Sequence, residues 1–271
     1  MKKTILILAI TALLSSCNEY QKALRSTDVA EKFKMGTSLY DEGKYNKANR
    51  LFVQIVPKYR GKPQAERLMY MYSKTFYENR DYYTANYQFE RFVSAYPESQ
   101  KAEEAAFLGA KSYYFLSPVY TKEQKETTEA IQKLQGFINA FPSSEYADEA
   151  NKLVQELDFK LEKKAFEIAK QYNKIGPFTR DYQACISAFD NFLLNYPGTV
   201  LREEALYYRL DAAFKLAINS VEWKMEDRIT KAIGYYDQFI GKYPESEFRA
   251  DVDDMKQELI ELKQKFDTKS K

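Results

Sequence analysis

Apolar residues recur three and four positions apart along most of this chain, and strict apolar–polar alternation is nearly absent. That rhythm predicts amphipathic helices rather than half-buried strands. No Asn-Gly or Asp-Gly pair occurs to close a hairpin. The stretch 144–172 holds Leu153, Leu157, Leu161, Ala165, Ile168 and Tyr172 at helical spacing, with no Gly or Pro between them. It predicts one long joining helix, ended by Lys-Ile-Gly-Pro at 174–177. A last one-sided helix is expected over about 246–267, through Val252, Met255, Leu259, Leu262 and Phe266. Such a helix suits the end of a stack, where one face is buried and the other is wet.

Between these helices the chain repeats itself. Four apolar stretches end in an aromatic residue and a proline: Tyr96-Pro97, Phe141-Pro142, Tyr196-Pro197 and Tyr243-Pro244. Twelve residues before each proline stand Ala85, Ala130, Cys185 and Ala232, all small. Eight residues before stand Phe89, Leu134, Phe189 and Tyr236, all large. A small and a large residue four apart share one helix face. The small one lets a second helix approach, and the large one fills the space beside it. Proline then stops the helix. Ser99, Ser143, Thr199 and Ser246 follow as candidate caps of the next helix. Acids come next, at Glu103 and Glu104, Glu145, Glu203 and Glu204, and Glu247, where a helix N-terminus favours negative charge. These carboxylates therefore read as helix-start chemistry rather than a catalytic pair.

A further unit, Tyr-Asp-Glu-Gly-Lys-Tyr-Asn-Lys-Ala-Asn-Arg-Leu-Phe at 40–52, resembles the turn and second helix of a tetratricopeptide repeat through Gly43, Tyr45, Ala48 and Phe52. Tyr82, Ala85 and Phe89 take the same places in the next unit, and Tyr182, Cys185 and Phe189 in the fourth. The first unit departs from the pattern, because the proline position is occupied by Arg60. The small residues at 48, 85, 130, 185 and 232 are separated by 37, 45, 55 and 47. An ordinary tetratricopeptide array repeats every 34 or so residues, so helices or loops must be longer here. The expected fold is all-α, an α-solenoid of about five tetratricopeptide-like helix pairs over roughly 28–244 with a C-terminal capping helix. Two halves are expected, 28–142 and 143–271.

Nine Gly and eight Pro in 271 residues agree with long helices. The N-terminus stands apart. Two lysines, an apolar run from Ile5 to Leu14 and then small residues form a secretory signal layout, too short to span a bilayer. Leu14-Ser15-Ser16-Cys17 resembles the lipobox of bacterial lipoproteins. In that family, cleavage precedes the cysteine, which then carries acyl chains. Residues 1–16 are thus expected as signal peptide and 17–27 as a lipidated tether, with Cys17 the lipidation site. Loss of Lys2 and Lys3 with the leader leaves 39 basic against 39 acidic side chains. That balance removes the long-range attraction on which nucleic-acid binding depends. Cys185 has no partner for a disulfide once Cys17 is acylated, and reads as a small core residue. Histidine is absent, which removes the usual proton shuttle and the commonest transition-metal ligand. No phosphate-cradling glycine motif is present. Neither an enzyme, a metal site nor a cofactor is expected.

The uneven repeats, the long joining helix and the lipobox together resemble the BamD family, the lipoproteins of the outer-membrane β-barrel assembly machinery. The resemblance covers nearly the whole chain after the leader. It implies a non-enzymatic scaffold, without cofactor, on the periplasmic face of the outer membrane. The implied partners are a BamA-like β-barrel assembly protein and unfolded outer-membrane proteins. Asn18-Glu19-Tyr20 carries no aspartate beside the cysteine and no acidic run, which resembles outer-membrane retention facing the periplasm. The alternative is a periplasmic tetratricopeptide lipoprotein that coordinates cell-envelope or peptidoglycan processes. In tetratricopeptide proteins, one face of each first helix lines the concave groove. Counting back from Ala85 and Ala48 places Tyr70, Lys74 and Tyr77, and Phe33, Thr37 and Tyr40, on that face. They are the candidate peptide-binding residues, an aromatic wall with one central cation that suits an extended segment bearing aromatics and a carboxylate.

Overall fold

A computed structural model describes residues 19–269, with side chains to 265. All its regular elements are helices. A short α1 covers 19–25. Then come α2 (Val29–Asp41), α3 (Tyr45–Tyr59), α4 (Ala65–Glu78), α5 (Tyr82–Ala95), α6 (Ala102–Leu116), α7 (Lys125–Ala140), α8 (Ala147–Thr179), α9 (Tyr182–Asn195), α10 (Arg202–Ile218), α11 (Glu222–Lys242) and α12 (Arg249–Lys269). The even-numbered helices from α2 to α10 are the first members of five pairs, the odd-numbered ones from α3 to α11 the second. The chain divides into two compact units at Asp158/Phe159, inside α8, whereas 142–143 is the turn that leads into α8.

The turn inside the first, second and fourth pairs has a common chemistry. Gly43, Arg80 and Arg180 each lie five residues before the small core residue, and each has a left-handed backbone, with φ of 72°, 61° and 56°. The chain reverses there: Lys44 N–H reaches back to Leu39 O at 2.8 Å, and Asp81 N–H to Phe76 O at 2.9 Å. Asp81 and Asp181 then cap α5 and α9 by accepting from Thr84 N and Ala184 N. Glycine adopts this conformation without a side-chain clash, and arginine does so at a cost.

The repeat predicted by counting from proline is the core. Ala48, Ala85, Ala130, Cys185 and Ala232 are all completely buried, as are Phe52, Phe89, Leu134 and Phe189, and Tyr236 nearly so. A third position, seven residues past the small one, is buried too: Ile55, Phe92, Phe137, Phe192 and Phe239. Each such side chain contributes about 1.5–3 kcal/mol by leaving water. The aromatic before each proline leans on that third residue, with ring centroids 5.5 Å apart for Phe92–Tyr96 and 5.3 Å for Phe192–Tyr196. In the first unit Tyr59 holds this aromatic place and is buried, with Arg60 where proline stands elsewhere.

The hydroxyls after the prolines do not act as N-caps. Ser99, Ser144, Thr199 and Ser246 accept from the N–H two residues on, at 2.9–3.1 Å, before the next helix begins. They form side-chain turns that guide the chain into the helix. Ser144, not Ser143, occupies the repeated position. Ser99 and Thr199 also donate to Glu66 and Glu162 of the preceding first helix, at 2.6 and 2.5 Å, and Ser144 donates to Glu103. Glu103, Glu104, Glu203 and Glu204 do sit in first helical turns, but Glu145 and Glu247 precede their helices.

Two further expectations are corrected. Lys-Ile-Gly-Pro does not end α8, which runs on to Thr179. Pro177 removes only one ladder bond, in the last turn. Gly176 serves packing instead: a Cβ there would lie 2.8 Å from the Tyr182 ring. The left-handed Arg180, whose N–H bonds to Gly176 O at 2.7 Å, ends the helix. Within the expected tether, the described residues 19–27 are not extended. Residues 19–25 are helical, and Tyr20 and Ala23 are buried against α2 and α3. Cys17 and the leader lie outside the described residues.

Candidate functional site

The first helices α2 and α4 present the six candidate binding residues to very different surroundings. Phe33 is stacked on Tyr59 (5.2 Å, 22°), and Tyr77 packs edge-on against Tyr82, Phe89 and Phe115. Thr37 is half-buried, its hydroxyl without a partner among the described residues. Tyr40, Tyr70 and Lys74 come together. They line one open groove of about 550 Å³, with Arg67, Met71, Phe92 and Lys101 among its other walls. Tyr70 is buried and meets Phe92 edge-on at 5.7 Å, so only part of it is offered to the groove.

Lys74 is not a free cation. Its Nζ lies 2.9 Å from Glu104 Oε1 and 3.4 Å from the Tyr70 hydroxyl. Lys101 holds the other oxygen of Glu104 at 2.8 Å. Both ammonium groups lie over the Tyr70 ring, at 5.8 and 5.4 Å from its centre. Burial alone would raise the Glu104 carboxyl, but hydrogen bonds from Lys101, Tyr70 and Lys74 outweigh it and hold the group at about 2. Burial pushes the Tyr40, Tyr70 and Tyr77 phenols upward, and Glu104 adds to the effect on Tyr70 and Tyr40. All three remain neutral hydroxyl donors. Lys74, Lys101 and Arg67 are balanced around the groove by Glu104, Asp41 and Glu66.

Counting past proline explains why Lys74 is paired. Seven residues beyond the four prolines stand Glu104, Glu149, Glu204 and Asp251, each in the first turn of a first helix or of α12. Each meets the preceding first helix: Lys74–Glu104 at 2.9 Å, Lys111–Glu149 at 2.5 Å, Lys170–Glu204 at 3.8 Å and Tyr207 to Asp251 at 3.4 Å. The three lysines follow a buried aromatic by four residues, Tyr70, Phe107 and Phe166, and lie over its ring. Those aromatics in turn contact the third core residue, Phe92, Phe137 and Phe192, at 5.4–5.7 Å. Lys74 thus belongs to a repeated link between successive repeats. The aromatic-x-x-x-Lys spacing and the acid seven past proline are both visible in the chain, but only their contact shows that they are partners. Lys101 was not legible as a groove residue, because the loop that brings it back over Tyr70 has no periodicity; Arg67, one turn before Tyr70 on α4, was within reach of the same helical spacing.

Among the described residues, no group of three or more His, Cys, Asp or Glu is placed to hold a metal ion, and no helix is long and apolar enough to cross a membrane. The groove presents flat aromatic faces, hydroxyl groups and two ion-paired cations.

The model of the YfiO family, described as an outer membrane lipoprotein, matches residues 25–221 and 177–269. The chain belongs to this outer membrane lipoprotein family. No curated protein matches it significantly. Among solved structures, a protein from Podospora anserina described as a kinesin light chain with nearly identical tetratricopeptide-like repeats is 13% identical. That alignment covers 80% of this chain and 97% of that one, with a TM-score of 0.32. A computationally designed, self-assembling cyclic homo-oligomer is 12% identical over 97% of this chain and 95% of its own, with a TM-score of 0.20.

Proposed function

We propose that this member of the outer membrane lipoprotein family is a non-enzymatic scaffold of the β-barrel assembly machinery, with the role of BamD. Cys17 is its acylated anchor, it faces the periplasm, and it binds a BamA-like partner and unfolded outer-membrane proteins. The family match over nearly the whole described chain carries this reading. The pairwise helical repeats support it, since stacked helix pairs build extended binding surfaces rather than reaction chambers. Capture of the acylated protein should co-purify a BamA-like β-barrel protein; recovery of peptidoglycan-processing enzymes without it would favour the cell-envelope alternative. Cys17→Ser should move the protein from the membrane to the soluble fraction, and continued membrane association would refute the anchor.

The groove of Tyr40, Tyr70 and Lys74 is the proposed contact for an extended substrate segment. Aromatic side chains of the segment stack on the tyrosines, and its carboxylate shares Lys74 and Lys101 with Glu104. Phe33, Thr37 and Tyr77 lie outside the groove lining, Phe33 and Tyr77 packed against other rings, and take no part in the proposed contact. A Tyr70→Ala, Lys74→Glu double variant with unchanged helicity and melting should lose peptide binding. Glu104→Gln, which frees a cation, should tighten binding of a peptide with a free C-terminal carboxylate and leave its amide unaffected. Equal affinity of the double variant and the parent would remove the groove from the function.

A further inference from the structure

Between α9 and α11, over α10, the second unit carries an open groove of about 510 Å³. Its floor is apolar, formed by Ile186, Ala213 and Leu216, and Tyr235 and Trp223 stand as walls. Ala213 is what opens it. In the first unit the same place, counted from the preceding proline, holds Tyr113, which bridges the flanking second helices. The Tyr113 hydroxyl lies 3.4 Å from Glu90 of α5, and Lys133 of α7 lies over its ring at 5.2 Å. In the second unit the bridge is made one turn earlier, by the buried Arg209. It donates to Asp190 of α9 at 2.9 Å and to Gln238 of α11 at 2.7 Å. Its guanidinium also lies 4.2 Å from the centre of the Tyr235 ring, so that wall is held from within the fold. Trp223 is 79% exposed, with Lys224 over its ring at 4.4 Å. A second hollow of about 520 Å³ shares Gln183, Leu216 and Arg228 with the groove and adds Arg180.

Charge around the two hollows is one-sided. Arg180, Lys224, Arg228 and Lys231 line them against Asp181 and Asp227. Both carboxylates are engaged: Asp227 holds Lys231 at 2.9 Å, and Asp181 caps α9. Arg228 donates to Ser220 Oγ at 2.7 Å. Among the described residues no carboxylate pairs with Arg180, Lys224 or Arg228, and Glu222 and Glu226 of α11 lie outside the lining. We infer that this groove binds an acidic segment of a partner protein. One apolar side chain of the segment rests on Ile186, Ala213 and Leu216, between Trp223 and Tyr235, and its flanking carboxylates meet Arg180, Lys224 and Arg228. A flat lipid surface could touch Trp223 but could not reach Ile186 and Ala213, which are buried between two helices; a protruding side chain can. The site lies in the second unit and stands independently of the substrate groove of the first.

Trp223 is the single tryptophan of the chain, so its emission reports on this groove alone. The test titrates the full-length protein, held in phosphatidylcholine vesicles, with the peptide acetyl-Glu-Leu-Glu-Phe-Glu-amide and with its counterpart in which lysine replaces each glutamate. A saturable change in Trp223 emission is expected with the acidic peptide and none with the basic one. Arg180→Gly with Lys224→Ala alters two exposed positions, so melting should hold while binding weakens about tenfold, through loss of charge-assisted contacts. Ala213→Tyr puts the first unit's residue into the groove and should abolish the response. No response to the acidic peptide, an equal response to the basic one, or undiminished binding by the folded double variant overturns the proposal. An Ala213→Tyr protein that melts like the parent and still binds overturns the location. Quenching of Trp223 by brominated phosphatidylglycerol, without peptide and unaffected by it, assigns the edge to lipid and overturns the acidic partner.

Discussion

Individual residues here are chosen by space and by backbone sign. The five small core positions admit no added volume, since each lies completely buried where two helices cross. Ala85→Leu, Ala130→Leu and Ala232→Leu should each cost about 1–3 kcal/mol by overpacking, read as a lower denaturant midpoint. Unchanged midpoints for all three would mean that these helices do not cross there. Arg80 and Arg180 carry the opposite opportunity. Both sit in the left-handed region that Gly43 occupies in the first repeat. A left-handed L-residue costs roughly 1–2 kcal/mol, part of which is returned because glycine loses more chain entropy on folding. Arg80→Gly and Arg180→Gly should therefore stabilise by up to about 1 kcal/mol. A fall in melting temperature for both would show that their side chains, not their backbones, set these turns.

At the scale of elements, the first helices from α4 to α10 are linked by one lysine–glutamate contact per step. Glu104 is the best held of them, with its carboxyl lowered to about 2 from an ordinary 4.5. A carboxyl depressed in the folded state stabilises above its unfolded value, and that contribution is lost as pH falls from about 4.5 toward 2. Glu104→Gln should flatten this part of a plot of melting temperature against pH between 2 and 5, and an identical slope would exclude the contact as a source of acid sensitivity. The tyrosines behave with the opposite sign. Tyr40, Tyr70 and Tyr77 are raised above 10 by burial, so their contribution is complete below pH 10 and lost above it. Alkaline titration of the folded protein should show these phenols ionising late, together with unfolding.

For the whole molecule, the decisive feature is that α8 is shared. Its first part buries Ala150, Leu153, Val154 and Leu157 before the boundary at Asp158, and its second part buries Phe166 and Ala169 with α9 and α10. A fragment of residues 18–158 should fold, with a helical circular dichroism spectrum and a sharp thermal transition. A fragment ending at Ala140 should melt earlier and less cooperatively, because Phe107 loses its stacking on Tyr146 (4.8 Å). Equal melting of the two would show that α8 contributes nothing to the first unit.

The helices and their pairing were legible because periodicity and proline placement are local: Ala85, Phe89 and Pro97 declare a buried face and its end within thirteen residues. The turn at Gly43 was legible for the same reason. The long helix was found but its end misplaced, since Gly176 looks like a terminator and acts as a seat for the Tyr182 ring. Seven-residue α1 was missed, too short to show a period and stabilised by Lys32, Lys47 and the first-repeat core. The candidate groove was half legible. Helical spacing placed Tyr40, Tyr70 and Lys74 on corresponding faces, but spacing cannot tell a surface from a contact. Pairwise packing between helices turned Phe33 and Tyr77 inward and gave Lys74 to Glu104, thirty residues away. Local order follows from backbone preference and side-chain period, which a linear chain displays; partners across repeats are selected by which surfaces meet, and that is decided only when the helices stack.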